Sequence, residues 1–348
     1  MLQLPPEILD QIIEYLCFED TRSISLVCST LRWRAYRQLF KTIRISVLNG
    51  NILPRDVKLF LHHSHLLRYV SCLVIWPLIG RVNIVGAQVQ RMPIHRRTPA
   101  IPVSFLWSQI LTTRRFTSIK LYFARYDYDL VLQGLDPAEN VDSGFQRELE
   151  DGMVASDGIV PVRSLDLPVA ESGHRLVSQL LHRCSQSLVE LRVTLRNTST
   201  PNFPFLPHLR VFALYWTPPG LVDDLTPWVP FLNQHPSLTC VILDSCITSV
   251  PTTHLALLPN LQSLTAYPSI IEWLVPGRPV HDITIKYFER ATSLDSISHS
   301  LPLSRVPVTT LFIRTRVFSA ANLLVDMVHS LPMLRVFHLS TTHKVRAS

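Results

Sequence analysis

Glycine and charge are both scarce in this chain. Its 348 residues include 10 glycines against 26 prolines, and 17% of them are charged whereas 47% are hydrophobic. Low glycine with high proline disfavours long uninterrupted helices and favours many short elements separated by turns. The apolar content excludes an intrinsically disordered chain, and the length allows a large core in two domains or in one extended domain.

Long apolar runs are missing too. No run of about eighteen apolar residues occurs, so we expect no membrane-spanning helix and no membrane partner. The opening segment Met1–Leu9 contains prolines and an acid where a secretory signal needs a basic end and an apolar run. We therefore predict an intracellular protein, located in the cytoplasm, the nucleus or both.

Sequence motifs typical of metal-binding, nucleotide-binding and catalytic sites are also absent. The six cysteines form no C-x-x-C pair, and the chain has no P-loop, G-x-G-x-x-G, G-x-S-x-G or H-E-x-x-H motif. We predict reduced, buried thiols, with Cys17 and Cys28 on apolar helix faces. The histidines at 62–65 lack a converging acid or cysteine, which favours solvated surface. We expect no catalytic residue, no metal, no cofactor and no enzymatic activity.

The first forty-five residues predict three helices. The proline pair at 5 and 6 suits a first helical turn. Apolar residues then recur at helical spacing, at Ile8, Leu9, Ile12, Ile13 and Leu16. Asp20 or Thr21 is predicted to cap the second helix, and Ser29 or Thr30 the third. Three helices of this size bury little, so we expect part of the apolar stripe to meet another surface.

The same segment carries a family resemblance. Eight residues stand in the order and spacing of one motif: Leu4, Pro5, Glu7, Asp20, Val27, Cys28, Leu39 and Phe40. The pattern resembles the F-box, the three-helix module by which substrate receptors dock on the small adaptor of SCF-type ubiquitin ligases. Thr21 and Leu31 stand where the motif usually has Leu and Trp, and Trp33 comes two places late. The alternative is an ordinary helical bundle that caps a larger domain.

The resemblance implies a surface that docks on the adaptor and, through it, on a cullin. The residues that it assigns to this surface are Leu4, Pro5, Ile8, Leu9, Ile12, Leu16, Val27, Cys28, Leu31 and Trp33. It also implies the function of a substrate-recognition subunit, in which the rest of the chain binds a protein target.

A short apolar phrase of the form L-x-x-L-x-L occurs eleven times beyond these helices. It begins at Phe40, Val70, Phe116, Val162, Leu188, Leu209, Leu238, Leu261, Val280, Val308 and Leu334. From Val162 onward the starts lie 26, 21, 29, 23, 19, 28 and 26 residues apart. This range spans the leucine-rich-repeat period of about 20–29 residues. We therefore predict short parallel strands joined by crossover segments.

This body resembles an irregular leucine-rich-repeat solenoid, such as follows the F-box in many fungal proteins. The predicted fold is α/β (α+β), with the three-helix module at 1–45 and a solenoid containing a parallel sheet at 46–348. A basic loop at 81–100 and an acidic loop at 136–158 are predicted to leave the repeats. The Asn or Cys that regular repeats place after each strand fits only at Cys246. The alternative is a mixed α/β domain in which the phrase reflects strand hydrophobicity alone.

Side chains between the inward apolar positions face the open side of such a solenoid. This register predicts a target-binding surface rich in aromatic and basic residues, which are common in binding hot spots. Its members are Trp76, Lys120, Tyr122, Arg192, Tyr215, Tyr267, Lys286 and Arg314. We expect Lys286 and Arg314 to be exposed and to contribute little to stability. In the unit that begins at Leu238, Val241 and Leu243 should point inward and Asp244 outward.

Together these patterns predict a substrate-recognition subunit of an SCF-type cullin–RING ubiquitin ligase. The alternative function is a leucine-rich-repeat scaffold that binds a partner but joins no ligase, and adaptor binding distinguishes the two. A nucleic-acid partner is disfavoured, because the basic residues behind the net charge of +7 are scattered without an aromatic–basic platform.

Overall fold

The structure of this chain is a computed structural model that describes part of its residues. The described residues are 4–48, 51–52, 69–77, 101–102, 118–121, 161–169, 174–195, 203–216, 225–244, 258–288, 292–315, 325 and 328–341. They belong to two compact units, Met1–Leu165 and Asp166–Ser348. The segments 62–65, 81–100 and 136–158, together with Tyr122 and Cys246, lie outside the described residues.

The first unit begins with three helices and continues with short strands. The helices are α1 (Pro6–Tyr15), α2 (Phe18–Ile24) and α3 (Ser29–Leu39). The strands are β1 (Thr42–Leu48), β2 (Asn51–Ile52), β3 (Cys72–Pro77), β4 (Ile101–Pro102) and β5 (Ser118–Leu121). The strand order is β5-β3-β1-β2-β4, in which β1, β3 and β5 pair in parallel and β2 and β4 join antiparallel.

The second helix begins earlier than the sequence predicted. Cys17 precedes α2, and its sulfur accepts the backbone N–H of Asp20 at 3.4 Å. Sulfur thus takes the capping role that an oxygen of Asp20 or Thr21 was expected to fill. Asp20 lies inside the first turn, where a carboxylate also interacts favourably with the positive end of the helix. The third helix is likewise preceded by Cys28.

The second unit alternates parallel strands with short helices. Strand β6 (Ser164–Val169) begins in the last two residues of the first unit and continues into the second. The other strands of the second unit are β7 (Glu190–Leu195), β8 (Val211–Trp216), β9 (Cys240–Asp244), β10 (Ser263–Ala266), β11 (Asp282–Phe288), β12 (Thr310–Thr315) and β13 (Val336–Thr341). Its helices are α4 (His174–Cys184), α5 (Val229–Gln234), α6 (Pro268–Leu274) and α7 (Thr292–Ser300). The strands stand in sequence order, and from β7 to β13 each pairs in parallel with the next.

Strand positions follow the prediction closely. Each of the eleven apolar phrases coincides with one of the strands β1, β3 and β5 to β13. The strands that the phrase did not predict are β2 and β4, which have two residues each. The architecture is therefore mixed helix and strand with a long parallel sheet, as the sequence indicated.

Burial alternates along these strands as the register required. In β7, Leu191 and Val193 are fully buried while Arg192 between them is half-buried. In the unit that ends with β9, Leu238, Val241 and Leu243 are fully buried and Asp244 is half-buried, which confirms the predicted orientation. Each strand thus has an apolar face, made by the buried alternate residues, and a polar face, made by the residues between them.

One backbone contact repeats at the start of successive strands in the second unit. The carbonyl of Val189 accepts the N–H groups of both Arg210 and Val211, at 2.8 and 3.0 Å. The same paired contact recurs at the carbonyls of Arg210, Thr239, Gln262, His281 and Thr309. These six acceptors are 21, 29, 23, 19 and 28 residues apart, so segments of different length return the chain to an equivalent starting geometry.

His235 fixes the connection between β8 and β9. Its ring is buried; Nδ1–H donates to the Phe231 carbonyl at 2.6 Å, and Nε2 accepts the N–H of Leu206 at 3.0 Å. This pair of bonds requires the neutral ring. Burial lowers the pKa of His235 below its ordinary 6.5, against the opposing effect of the Phe231 bond.

Truncating a side chain on the apolar face of a strand should lower the unfolding free energy far more than truncating one on the polar face. Leu243→Ala removes fully buried methyl groups and should cost about 2–5 kcal/mol of unfolding free energy. Arg314→Ala, at an exposed position on β12, should cost less than about 0.5 kcal/mol. Chemical denaturation measures both. A larger loss for Arg314→Ala than for Leu243→Ala would mean that the strand register is shifted by one residue.

Acid should weaken the second unit through His235. Because its folded-state pKa is depressed, its contribution is complete above pH 6.5 and is lost as the pH falls towards the folded-state pKa. We expect the unfolding free energy of the native chain to fall more steeply, as the pH drops below 6.5, than that of His235→Gln, which keeps an acceptor for Leu206. His208→Gln, at an exposed histidine, serves as the control. Parallel pH profiles for the native chain and His235→Gln would contradict this assignment.

Candidate functional site

Few side chains point inward between the three N-terminal helices. Ile13 and Ala35 are buried, at 3% and 0% exposed, and the polar residues Thr21 and Ser25 are buried with them. The Thr21 hydroxyl donates to the Cys17 carbonyl at 2.9 Å. Threonine therefore fills an interior position in α2, where the motif usually has leucine, without leaving a buried polar group unsatisfied.

Two arginines of α3 connect the helices. Arg34 binds the Asp10 carboxylate at 2.5 Å and donates to the Pro6 carbonyl at 2.9 Å, which joins α3 to α1. Arg32 donates to the Ser25 carbonyl at 3.1 Å, which joins α3 to the end of α2. These polar connections fix the positions of helices whose apolar interior is small.

The outside of these helices is unusually apolar. Eight large hydrophobic side chains are exposed, from 41% for Ile8 to 90% for Tyr15. We call them the exposed apolar surface: Leu4, Ile8, Ile12, Tyr15, Phe18, Leu26, Val27 and Trp33. In α1, the positions 8, 12 and 15 follow helical spacing and share one face. Exposed hydrophobic clusters of this kind mark interaction sites in soluble proteins.

The residues that the sequence assigned to adaptor docking fall mostly on the outside. Leu4, Pro5, Ile8, Ile12, Val27, Cys28 and Trp33 are exposed, and Leu9, Leu16 and Leu31 are half-buried. Trp33 also packs edge-to-face on Tyr36, with ring centroids 6.0 Å apart, so it has both a packed and an open side. Sequence reasoning missed Tyr15, Phe18 and Leu26. Tyr15 could have been found from its spacing to Ile8 and Ile12.

The prediction of buried N-terminal thiols is wrong. Cys17 and Cys28 are both exposed, because each occupies the position before a helix rather than an inward face. The Cys17 thiol also donates to the Asp20 carboxylate at 3.0 Å. Among the described cysteines, Cys184 is buried, and burial raises the pKa of its thiol to about 12. A thiol in that state is inert near neutral pH.

A charged cleft adjoins α1 and α3 in the first unit. Its lining includes Asp10, Glu14, Arg34, Arg37, Lys41 and Tyr69. Arg34 pairs with Asp10, and Lys41 lies 3.7 Å from Glu14, so carboxylates offset two of the cations. Among the described residues, the lining of this cleft includes no histidine and no cysteine.

On the polar face of the second unit, the side chain of Lys286 contacts two neighbouring side chains. Its Nζ atom lies 2.6 Å from the Asp244 carboxylate and 5.8 Å from the centre of the Tyr215 ring. Lys286 and Asp244 belong to β11 and β9, with β10 between them. Two strand spacings make about 10 Å, which a long lysine side chain can cross. Lys286 is only 8% exposed, so the prediction that it is an exposed residue is wrong.

The other predicted members of this surface are placed differently. Arg192 pairs with Glu190 at 2.6 Å on the same strand. Tyr215 and Tyr267 are half-buried, and Arg314 is exposed. Burial raises the pKa of Tyr215, so its phenol is protonated at neutral pH. Trp76 and Lys120 lie in β3 and β5 of the first unit, whereas Tyr122 is outside the described residues. The structure therefore brings Tyr215 and Lys286 together, with Asp244 as their shared neighbour.

Two kinds of site are absent from the described part of the chain. None of its helices is long and apolar enough to cross a membrane. No group of three or more His, Cys, Asp or Glu side chains is arranged to hold a metal ion within that same part.

Comparison with known families identifies the helical segment. A model of the F-box domain family matches residues 1–32. The chain carries an F-box domain. Domains of this family typically bind the adaptor of SCF complexes, and the proteins that contain them generally act as non-catalytic substrate-recognition adaptors. A search of curated proteins returns no match for the chain. All members of the exposed apolar surface except Trp33 lie within the matched F-box residues.

Breaking the Asp244–Lys286 ion pair should lower the unfolding free energy more than the loss of an exposed charge does. Asp244→Asn leaves a nearly buried ammonium group without its counter-charge, and we expect a loss of about 1–3 kcal/mol of unfolding free energy. The double variant Asp244→Asn/Lys286→Met should recover most of that loss, because it leaves no buried charge. Urea denaturation of the single and double variants measures the coupling. Additive losses would show that the two side chains act independently.

Proposed function

We propose that this protein is a substrate-recognition subunit of an SCF-type cullin–RING ubiquitin ligase. The observation that carries the proposal is that the F-box match falls on helices whose large apolar side chains point outward. A segment that keeps Ile8, Ile12 and Val27 exposed while burying Ile13 and Ala35 is built to be covered by another protein. The adaptor is that protein, and through the adaptor the F-box joins a cullin.

The docking surface in this proposal consists of the predicted adaptor residues, extended by Tyr15, Phe18 and Leu26. Apolar and aromatic side chains that become fully buried at the centre of an interface contribute most of the binding free energy. Ile8 and Ile12 lie one helical turn apart on α1 and are 41% and 43% exposed. Burying the remaining surface of such side chains contributes about 25 cal/mol per Å².

The remainder of the chain, 46–348, is proposed to be the target-binding region, with the F-box module at 1–45. An irregular leucine-rich-repeat solenoid is the architecture that we propose for it. Support comes from strands that stand in sequence order, from the alternation of burial, and from the paired carbonyl contact that repeats at intervals of 19 to 29 residues. Each repeat in such an array contacts its neighbours and contributes to one continuous core.

The polar face is the proposed target-binding surface. Arg192, Tyr215, Tyr267 and Arg314 offer aromatic and basic groups on it. The sequence-based proposal that Trp76, Lys120 and Tyr122 also bind the target stays a prediction. Lys286 has a different role from the one that the sequence suggested. Because it is nearly buried against Asp244 and Tyr215, it positions those two side chains rather than meeting the target itself.

The proposed mechanism is proximity. Holding the target and the ubiquitin-transferring subunits in one assembly raises their effective concentration without any chemistry by this chain. The proposal places the protein in the cytoplasm, the nucleus or both, since cullin-based ligases act there.

A matched pair of substitutions tests adaptor docking. Ile12→Asp places a carboxylate on the exposed apolar face of α1 and should weaken binding to the purified adaptor at least about tenfold. Gln262→Asp introduces the same side chain at an exposed position of the second unit, outside the F-box helices, and should leave adaptor affinity unchanged. Isothermal calorimetry with each full-length variant measures the two affinities.

Folding must be checked in the same preparations by circular dichroism, so that lost binding is not mistaken for lost structure. The receptor role is refuted if the folded wild-type chain shows no affinity for the adaptor, and the non-ligase scaffold is then favoured. The docking surface alone is refuted if Ile12→Asp and Gln262→Asp bind equally well.

A further inference from the structure

Lysine is scarce in this chain although basic residues are not. The 33 basic residues comprise 28 arginines and five lysines, which stand at positions 41, 58, 120, 286 and 344. Lysine is ordinarily one of the commonest residues of a soluble protein. The second unit alone contains twelve arginines and two lysines. Its cationic side chains are therefore almost all guanidinium groups, and few of them are primary amines.

Lys286, the lysine of the second unit that the structure describes, is shielded. It is only 8% exposed, and its Nζ atom lies 2.6 Å from the Asp244 carboxylate. The Tyr215 ring covers the same atom at 5.8 Å. An ammonium group held in this way does not reach a reagent in solution. The other lysine of this unit, Lys344, lies outside the described residues.

Lys41 in the first unit is placed in the opposite way. Its carbonyl accepts the N–H groups of Ser71 and Cys72 at 3.0 and 2.9 Å, which fixes the backbone just after α3. Its side chain is 54% exposed, and the Glu14 carboxylate 3.7 Å away is exposed as well. Exposed ion pairs of this kind hold their side chains only weakly. Among the lysines whose side chains are described, Lys41 is the one with an accessible amine.

Lysine and arginine differ in their chemistry towards an activated acyl group. Ubiquitin is transferred when the neutral amine of a lysine attacks the carbonyl carbon of the thioester at the C-terminus of ubiquitin. A C–N bond forms, the C–S bond to the carrier enzyme breaks, and the amine proton goes to the departing thiolate. The guanidinium of arginine is delocalised and stays protonated up to about pH 12, so it does not react in this way. Arginine thus keeps the charge of a lysine without offering an acceptor.

Proximity alone does not distinguish a target from its receptor. An assembly that holds both beside the carrier enzyme raises the effective concentration of every exposed amine within reach, including those of the receptor. A receptor that works by proximity therefore needs few exposed amines on the unit that holds the target. Because the carrier enzyme enters only through the proposed receptor role, the inference below rests on that role.

We propose that the second unit is protected from the ligase's own transfer reaction and that Lys41 accepts the ubiquitin that the ligase attaches to its receptor. Protection comes from arginine in place of exposed lysine and from the burial of Lys286. Self-modification then falls at the end of α3 in the first unit and leaves the polar face of the second unit unchanged.

Self-modification by a reconstituted ligase tests the inference. The full-length chain is assembled with purified adaptor, cullin and RING subunit, and the complex is isolated by size-exclusion chromatography. It then receives the activating and carrier enzymes, ATP and lysine-free ubiquitin, which cannot form chains. Mass spectrometry of tryptic peptides locates each diglycine remnant. We expect a remnant on Lys41 and none on Lys286. Lys41→Arg keeps the charge and should lower total self-modification at least about threefold.

A matched pair of double variants tests the role of arginine. Arg210 and Arg305 are exposed residues of the second unit. Arg210→Lys/Arg305→Lys keeps both charges but adds two accessible amines, so diglycine remnants should appear at these positions. Arg210→Gln/Arg305→Gln changes the same side chains without adding an amine and should keep the wild-type pattern. Circular dichroism checks that each variant is folded.

The order of the measurements separates the two proposals. If the folded chain forms no complex with the adaptor and the cullin, the receptor role is refuted and the protection inferred here falls with it. If the complex forms, the receptor role stands, and three results would each overturn the inference. These are an unmodified Lys41, a remnant on Lys286 of the folded chain, and no remnant at either substituted arginine position.

Discussion

Everything in the strand-rich part of the molecule depends on one constraint, the two-residue alternation of side chains along parallel strands. Leu191 and Val193, or Val241 and Leu243, can all be fully buried only because the residue between them points to the opposite face. The paired carbonyl contact starts successive strands in the same register, although the segments between its acceptors vary from 19 to 29 residues. A constant register with variable connections allows the polar face to differ from strand to strand while the core stays apolar.

The helices of the F-box segment are held together differently from the strands. It buries few apolar side chains, and Arg32 and Arg34 hold its helices through carbonyl and carboxylate groups instead. Apolar side chains such as Ile12 and Val27 are therefore available on the outside. The incomplete core of this segment indicates a partner surface.

Local periodicity made much of this fold predictable. The spacing of apolar residues located three helices and eleven strands, because both signals are contained within a few consecutive residues. What failed depends on neighbours distant in sequence or on unusual chemistry. A cysteine sulfur caps α2 where an oxygen was expected, and β2 and β4 are too short to carry a pattern. Lys286 is buried because Asp244 and Tyr215, two and three strands away, gather around it.

The most direct test of the central claim is the composition of the complex that the full-length protein forms in its own cells. Affinity purification under native conditions, followed by quantitative mass spectrometry, measures which proteins accompany it and in what ratio. Our account predicts the SCF adaptor and a cullin in amounts close to that of the bait, and their loss when Ile12→Asp is the bait. A folded protein that is recovered with other partners but with neither adaptor nor cullin would contradict it.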